Sequence, residues 1–160
     1  MTDRFFEDYP VGAVFTGGPI AVSESDIVDF ARKYDPQPMH IDRDAAASGR
    51  FGGLIASGWH TGALMMQLLA ANFLSPASSL ASPGLDELRW LMPVRPGDAL
   101  RITVTVIEAR PSRSRPDQGV LRSLVEILNQ RDEIVMSLKP ISLIRRRPPS
   151  ADTDVKSDHG

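Results

Sequence analysis

The sequence predicts an α+β domain in which an antiparallel sheet curls around one long, buried helix. The first observation behind this prediction is a segment from about residue 57 to residue 74 that is apolar on nearly every side, as in a helix surrounded by protein. At 1.5 Å per residue this helix would be about 27 Å long, enough to run the length of a small domain. The second is the run of strand patterns that follows, without helical segments of roughly 10–15 residues between them, which favours an antiparallel meander.

The composition indicates one globular domain and excludes several classes of function. The 160 residues include 18 basic and 20 acidic side chains, and the formal charge of −2 gives no field that would attract nucleic acid. The absence of cysteine excludes disulfides and thiolate chemistry and fits a reducing compartment. No signal peptide is visible, and His60, Gln67 and Asn72 interrupt the apolar segment, which argues against a membrane span. We therefore expect a cytoplasmic protein that binds neither nucleic acid nor membrane.

A first helix is predicted after Ser23, whose hydroxyl can cap it. Its apolar residues recur at helical spacing and form one face: Ile27, Phe30, Ala31 and Tyr34. Pro36 and Pro38 end the helix, because proline lacks an N–H group and restricts the residue before it. The chain from Asp35 to His40 is therefore expected to be a stiff, extended turn.

Four strands are predicted after the apolar helix. Apolar and polar residues alternate over 87–92 and 100–106, and two further strand candidates, 120–128 and 134–144, are joined by a polar turn. Residues 147–160 are polar and are expected to form a disordered tail. The folded domain is accordingly predicted to span residues 1–146.

The candidate catalytic residues are Asp35 and His40, which flank a turn stiffened by two prolines around Gln37. A carboxylate beside an imidazole can hold a water molecule and move its proton, since histidine titrates near neutral pH. The alternative is that Asp35 caps the turn and His40 is an ordinary surface histidine. Asp35 and His40, with Asp42, are spaced poorly for metal ligands, so no metal site is predicted.

A second candidate element is the start of the apolar helix at Ser57 and Gly58. The first N–H groups of a helix lack intrahelical partners, and one at Gly58 could stabilise the oxygen of a thioester carbonyl as it gains charge. The alternative is that Ser57 is an ordinary N-cap and Gly58 only permits close packing. Gln37, Ser57 and His60 are candidate substrate contacts, although His60 could instead be a hydrogen-bonded core histidine.

Three arginines could contact the phosphates of a nucleotide carrier such as coenzyme A. Arg110, Arg113 and Arg115 lie in a loop that also contains proline and serine. The alternative is that these three side chains are only solvated, as charged side chains in a hairpin usually are.

Three segments of the chain resemble the MaoC-like dehydratases, a family that includes the (R)-specific enoyl-CoA hydratases. The first, 30–42, contains Asp35-Pro36-Gln37-Pro38-Met39-His40 and is similar to the family's Asp-x-Asn-Pro-x-His motif. The others are 51–58, which ends in Ser57-Gly58, and 93–98, which is common among hotdog proteins. The chain departs from the family pattern at Gln37, which replaces an asparagine, and at Ser57, which replaces a histidine. Met65 or Met66 stands near the position of a serine that the hydratases carry further along the helix.

The resemblance implies a hotdog fold, in which an antiparallel sheet wraps a central helix, and a homodimer. It implies that Asp35 and His40 activate water to attack a trans-2-enoyl thioester and give an (R)-3-hydroxyacyl product, while the Gly58 N–H polarises the thioester carbonyl. No metal or redox cofactor is expected, and coenzyme A or an acyl carrier protein would bring the acyl group. The alternative functions are a hotdog acyl-CoA thioesterase and a non-catalytic hotdog subunit that binds acyl carriers.

Overall fold

A computed structural model describes residues 2–150 of the chain. The helices are α1 (Glu24–Tyr34), α2 (Pro38–Ile41), α3 (Arg43–Ala47) and α4 (Gly58–Asn72), after a short 3₁₀ turn at Phe6–Asp8. The strands are β1 (Val14–Ala21), β2 (Ser79–Trp90), β3 (Ala99–Pro111), β4 (Gln118–Leu128) and β5 (Ile134–Arg145). Of the predicted tail, residues 151–160 lie outside the described residues, whereas the backbone of Arg147 is hydrogen-bonded to Glu7.

The five strands form one antiparallel sheet in the order β1-β3-β4-β5-β2, so β3, β4 and β5 are interior strands. The alternation predicted for residues 100–106 is confirmed, because the apolar positions of β3 are buried and the residues between them are partly exposed. These buried positions are Leu100, Ile102, Val104 and Val106. One face of the sheet therefore packs into the core, with α4 lying across it.

The long apolar helix is confirmed as α4, and Ser57 caps it by accepting a hydrogen bond from the N–H of Trp59. Its core-facing side buries Met65, Leu68 and Leu69. The expectation that protein surrounds this helix on every side is wrong for the single chain, because Trp59 is 62% exposed and Met66 is 44% exposed.

The predicted helix after Ser23 is confirmed as α1, with the Ser23 hydroxyl accepting from the N–H of Asp26. The prediction of an extended segment up to His40 is wrong in its second half. Gln37 is extended, as expected before a proline, but Pro38 opens the short helix α2. Proline suits the first position of a helix because its fixed φ is helical and its missing N–H would have no partner there.

Strand β2 lies at an edge of the sheet and begins eight residues before the predicted strand, at Ser79 rather than at residue 87. Its register against β5 shifts three times, and all its residues except Leu88 are exposed. An exposed edge strand has no buried face to impose an alternating pattern, which is why its first half carries no strand signal. Within residues 2–150, no helix is long and apolar enough to cross a bilayer.

Candidate active site

The structure brings Asp35 and His40 together at the junction of α1 and α2. Asp35 directly follows α1, and its N–H still donates to the carbonyl of Ala31. His40 is the third residue of α2, and this helical turn directs its ring back towards Asp35. The His40 Nε2 atom lies 3.3 Å from Asp35 Oδ2, with the histidine almost fully buried and the carboxylate 18% exposed.

The other ring nitrogen of His40 fixes the tautomer. Nδ1 lies 2.7 Å from the backbone carbonyl oxygen of Ile55, which can only accept a hydrogen bond. Nδ1 therefore carries a hydrogen, and in the neutral ring Nε2 has a free lone pair. The nitrogen that faces Asp35 is thus the one that can take up or give back a proton.

Two neutral donors hold the Asp35 carboxylate. The Ser57 hydroxyl donates to Oδ2 at 2.7 Å, and the Gln37 side-chain amide donates to Oδ1 at 2.7 Å. The hydrogen bond from Ser57, followed by that from Gln37, holds the pKa of the Asp35 carboxyl below its ordinary value, against a smaller opposing effect of burial. Asp35 is therefore ionised at neutral pH.

The start of α4 lies beside this pair because the preceding residues are tied to their neighbours on both sides. The N–H of Ile55 donates to the carbonyl of Met39 in α2, and the N–H of Ala56 donates to the carbonyl of Val94. No acceptor for the Gly58 N–H is found among residues 2–150, as is typical of the first residue of a helix. That donor remains available to a ligand.

Trp90, at the end of β2, lies directly against Gly58. Its indole N–H donates to the Gly58 carbonyl at 2.9 Å, and a Cβ added to Gly58 would come within 2.5 Å of the indole ring. Only glycine fits between the helix start and this ring. Trp90 also packs edge-on against Trp59, with 5.0 Å between ring centroids.

A cavity of about 410 Å³ joins these elements. Its polar lining comes from Asp35, Gln37, His40, Gly58 and Thr61. The rest of the lining is mostly apolar and includes Met39, Phe51, Trp59, Trp90, Leu91 and Met92. A cleft with a few convergent polar groups in an apolar wall is typical of a small-molecule site.

His60 does not line this cavity. The ring is 6% exposed and stacks on Phe30, with centroids 4.7 Å apart and an angle of 9° between the planes. Burial holds the pKa of His60 below its ordinary value, with a smaller opposing effect of Asp26, so the ring is neutral at pH 7. Its Nδ1 has no hydrogen-bond partner among the described residues, unlike the hydrogen-bonded core histidine of the alternative interpretation.

The three candidate carrier-binding arginines lie at the far end of β3 from the cavity. Arg110 is near the last residue of that strand, 3.7 Å from the Glu108 carboxylate, and Arg113 and Arg115 lie in the turn to β4. β3 begins shortly after cavity-lining Val94 and is 13 residues long, so about 40 Å of strand separates the turn from the cavity within one chain.

Thr61 and Trp90 line the site but were not predicted as functional. Thr61 is buried and follows Gly58 by three residues, so helical spacing places both on one face and could have indicated it. Trp90 was interpreted only as a strand residue, and its contact with Gly58 depends on how β2 docks, which no local pattern encodes. Within the described part of the chain, no cluster of three or more histidine or carboxylate side chains is arranged to hold a metal ion.

Comparison with known proteins places the chain in a family. A family model described as "MaoC like domain" matches residues 9–126, about three quarters of the chain. The chain belongs to the MaoC-like dehydratase family. The crystal structure of a MaoC-like dehydratase from Rhodospirillum rubrum superimposes with a TM-score of 0.83 at 40% identity, over 91% of this chain and 99% of that one. The predicted hotdog fold is thereby confirmed.

Two curated relatives show how far sequence similarity extends. The uncharacterised protein YdeM of Bacillus subtilis is 33% identical over 140 residues, which cover 88% of this MaoC-like chain and 98% of the relative. The 3-hydroxybutyryl-CoA dehydratase of Methylorubrum extorquens is 34% identical over 112 residues, covering 69% of each chain.

Proposed function

We propose that this MaoC-like protein is a hydro-lyase that adds water to a trans-2-enoyl thioester, or removes it in the reverse direction, with an (R)-3-hydroxyacyl thioester as the hydrated product. The observation that carries the proposal is the 3.3 Å separation of Asp35 Oδ2 and His40 Nε2 at the wall of a cavity that Gly58 also lines. The family membership and the dehydratase named among the relatives support the same class of reaction.

The chemistry follows from the proton-accepting atoms that face each other. An ionised Asp35 and a neutral His40 offer two acceptors to one water molecule, which can donate one hydrogen to each. As the water oxygen forms a bond to the β-carbon, one of its protons moves to the pair, and the C=C electrons move towards the thioester carbonyl. The pair then returns that proton to the α-carbon, so the net change is addition of one water across the double bond.

The Gly58 N–H stabilises the charge that develops during this step. The enolate oxygen formed from the thioester carbonyl needs a donor that is already in place, and a free N–H at a helix start supplies one together with the positive end of the helix dipole. Removing one donor of this kind typically costs about 10²–10³ in rate. Coenzyme A or an acyl carrier protein would bring the acyl group, and the apolar cavity wall would hold the chain.

The proposed enzyme is a homodimer joined along β2. Large apolar side chains are more than a third exposed along this edge of the sheet and just beyond it: Leu80, Leu85, Trp90, Leu91 and Met92. Such an edge is a template for pairing with a second chain, and pairing here would cover the side of the cavity next to Trp90. Light scattering after gel filtration should give a dimer mass that Leu85→Lys halves, whereas a monomeric wild-type chain would contradict the proposal.

The function is tested with a series of trans-2-enoyl-CoA substrates of increasing chain length. The purified protein should remove the enoyl absorbance of at least one of them, and free thiol should not appear. Thiol release from an acyl-CoA without hydration would indicate a thioesterase instead. A wild-type protein that hydrates no member of the series would refute the proposal.

A further inference from the structure

Two of the positions at which the chain differs from the family pattern contact the same carboxylate. Gln37 stands in place of an asparagine and Ser57 in place of a histidine, and their side chains donate to the two different oxygens of Asp35, each at 2.7 Å. From the sequence we expected Gln37 and Ser57 to contact substrate. The geometry instead directs their donor groups at a catalytic side chain.

Ser57 has two contacts that an ordinary capping serine does not combine. Its hydroxyl accepts from the N–H of Trp59 at 3.3 Å and donates its own hydrogen to Asp35 Oδ2, and the residue is completely buried. Its backbone carbonyl accepts from the N–H groups of His60 and Thr61. One side chain thus links the carboxylate to the first turn of α4, the turn that carries the Gly58 N–H.

We propose that Ser57 is the main positioning residue of the site, and that Gln37 assists it by fixing the second oxygen of Asp35. Together they orient the carboxylate so that its Oδ2 atom faces His40 Nε2. They also hold the carboxylate at a fixed position relative to the Gly58 amide. The inference rests on the proposed function, because positioning has a catalytic meaning only if Asp35 and His40 act on water.

The two hydrogen bonds to Asp35 also give the two catalytic groups different roles. A carboxylate that accepts hydrogen bonds on both oxygens is a weaker base, and the lowered pKa of Asp35 agrees with this. Asp35 therefore remains an anion that orients water and balances an imidazolium, while His40 Nε2 carries the proton that leaves the water. Removing either donor should raise the pKa of the Asp35 carboxyl.

The chain offers a matched control for the Ser57 variant. Ser23 also caps a helix, accepting from the N–H of Asp26 at 3.1 Å, but it is exposed and has no contact with the site. Ser57→Ala and Ser23→Ala each remove a capping hydroxyl, and only the first removes a donor to Asp35. A difference between the two variants therefore reports on the bond to the carboxylate.

Gln37→Met provides a second test that does not disturb a cap. Gln37 is exposed and makes no side-chain capping bond at the start of α2, so this variant loses only the bond to Asp35 Oδ1. The double variant Ser57→Ala/Gln37→Met leaves Asp35 with neither donor, so its effect should exceed that of either single change.

The experiment measures the pH profile of kcat/KM for enoyl-CoA hydration in the wild type and these variants. Ser57→Ala should lower kcat/KM by about 10-fold or more and move the acid limb to higher pH, since each hydrogen bond to a charged group is worth roughly this factor. Gln37→Met should give a smaller change of the same sign, and Ser23→Ala should match the wild type. An unmoved acid limb in Ser57→Ala, or an equal loss in Ser23→Ala, would overturn the inference.

A substrate-free measurement separates this inference from the proposed function. Titration of the Asp35 carboxyl by NMR should give a higher pKa in Ser57→Ala than in the wild type and no change in Ser23→Ala, because of the two serines only Ser57 donates to this carboxylate. If the wild type hydrates no enoyl-CoA but this difference appears, the proposed function fails and the positioning contact stands. If hydration is normal and the Asp35 titration is the same in all variants, the function stands and the positioning role fails.

Discussion

The two ends of α4 differ in how their unpaired backbone groups are satisfied. At the C-terminal end, side chains cover the free carbonyls: Tyr9 Oη–H donates to Phe73 at 2.6 Å and Arg4 donates to Asn72 at 2.9 Å. At the N-terminal end, the Gly58 N–H has no acceptor within residues 2–150, and Gly58 lines the wall of a cavity. One end is closed by the fold and the other is left available to a ligand.

The packing around the two ends supports the same distinction. Tyr9, Phe15 and Phe73 form an aromatic cluster at the closed end, with ring centroids 5.0–5.6 Å apart, and Tyr9 and Phe73 are 1% exposed. At the open end, Trp59 and Trp90 are 62% and 45% exposed. We therefore expect changes at the open end to affect activity more than stability, and changes at the closed end to do the reverse.

The largest effect is expected from His40→Gln at the open end. Glutamine preserves a polar side chain of similar length but cannot take up the proton of the attacking water, so kcat/KM should fall by about 10²–10⁴. Thermal unfolding followed by circular dichroism should shift by only a few degrees. A variant that keeps more than half of the wild-type rate would exclude His40 from catalysis.

Gly58→Ala should be the next most damaging change. The added methyl group would meet the Trp90 ring at 2.5 Å, so either the ring or the helix start must move, and the N–H that stabilises the enolate moves with it. We expect a loss of about 100-fold in kcat. Full activity together with a changed tryptophan emission spectrum, which would report that Trp90 or the helix start has moved, would show that the Gly58 amide plays no part.

Tyr9→Phe tests the closed end. The Phe73 carbonyl would lose its strongest donor but keep a longer contact with Arg4, 3.3 Å away, so the free energy of unfolding should fall by about 1 kcal/mol. Urea denaturation measures this change. Hydration activity should stay within twofold of the wild type, and a large loss of activity at normal stability would break the distinction between the two ends.

Gly62→Ala, in the middle of α4, should have the smallest effect, and it should raise rather than lower the free energy of unfolding. A Cβ at this position would touch only the Met136 methyl group at 3.8 Å, an ordinary contact, and alanine favours a helix over glycine by roughly 0.5–1 kcal/mol. Urea denaturation should show a gain of about this size with unchanged activity. The variant is also the matched control for Gly58→Ala, because it makes the same substitution one turn away.

The residues alone were sufficient to predict α4, its cap and the turn that carries Asp35 and His40, whereas a site that combines this turn with Gly58 was implied by the family resemblance. The helix, its cap and the turn depend on local signals: the all-round apolar pattern, a serine at the boundary, and two prolines that end α1. The helical turn of α2 was missed because Pro38 was taken to stop a helix, although proline is equally suited to begin one.

The contacts that build the site could not be predicted in the same way. The bond from Ser57 to Asp35 joins residues 22 positions apart, and that from Trp90 to Gly58 joins residues 32 apart. Each depends on how separate elements pack, and β2 reaches its place through three shifts of register against β5. Periodicity describes which face of an element is buried, but it does not specify which side chain on another element it meets.

Hydration by the Asp35–His40 pair is tested most directly by incubating a trans-2-enoyl-CoA in deuterated water with the wild type and with His40→Gln. The wild type should produce an (R)-3-hydroxyacyl-CoA that carries one deuterium on its α-carbon, because water supplies both the hydroxyl group and the new hydrogen. His40→Gln should form this product at least 100-fold more slowly. An equal rate in the two proteins, or conversion of the substrate to free coenzyme A and an unlabelled 2-enoic acid, would contradict hydration by the Asp35–His40 pair.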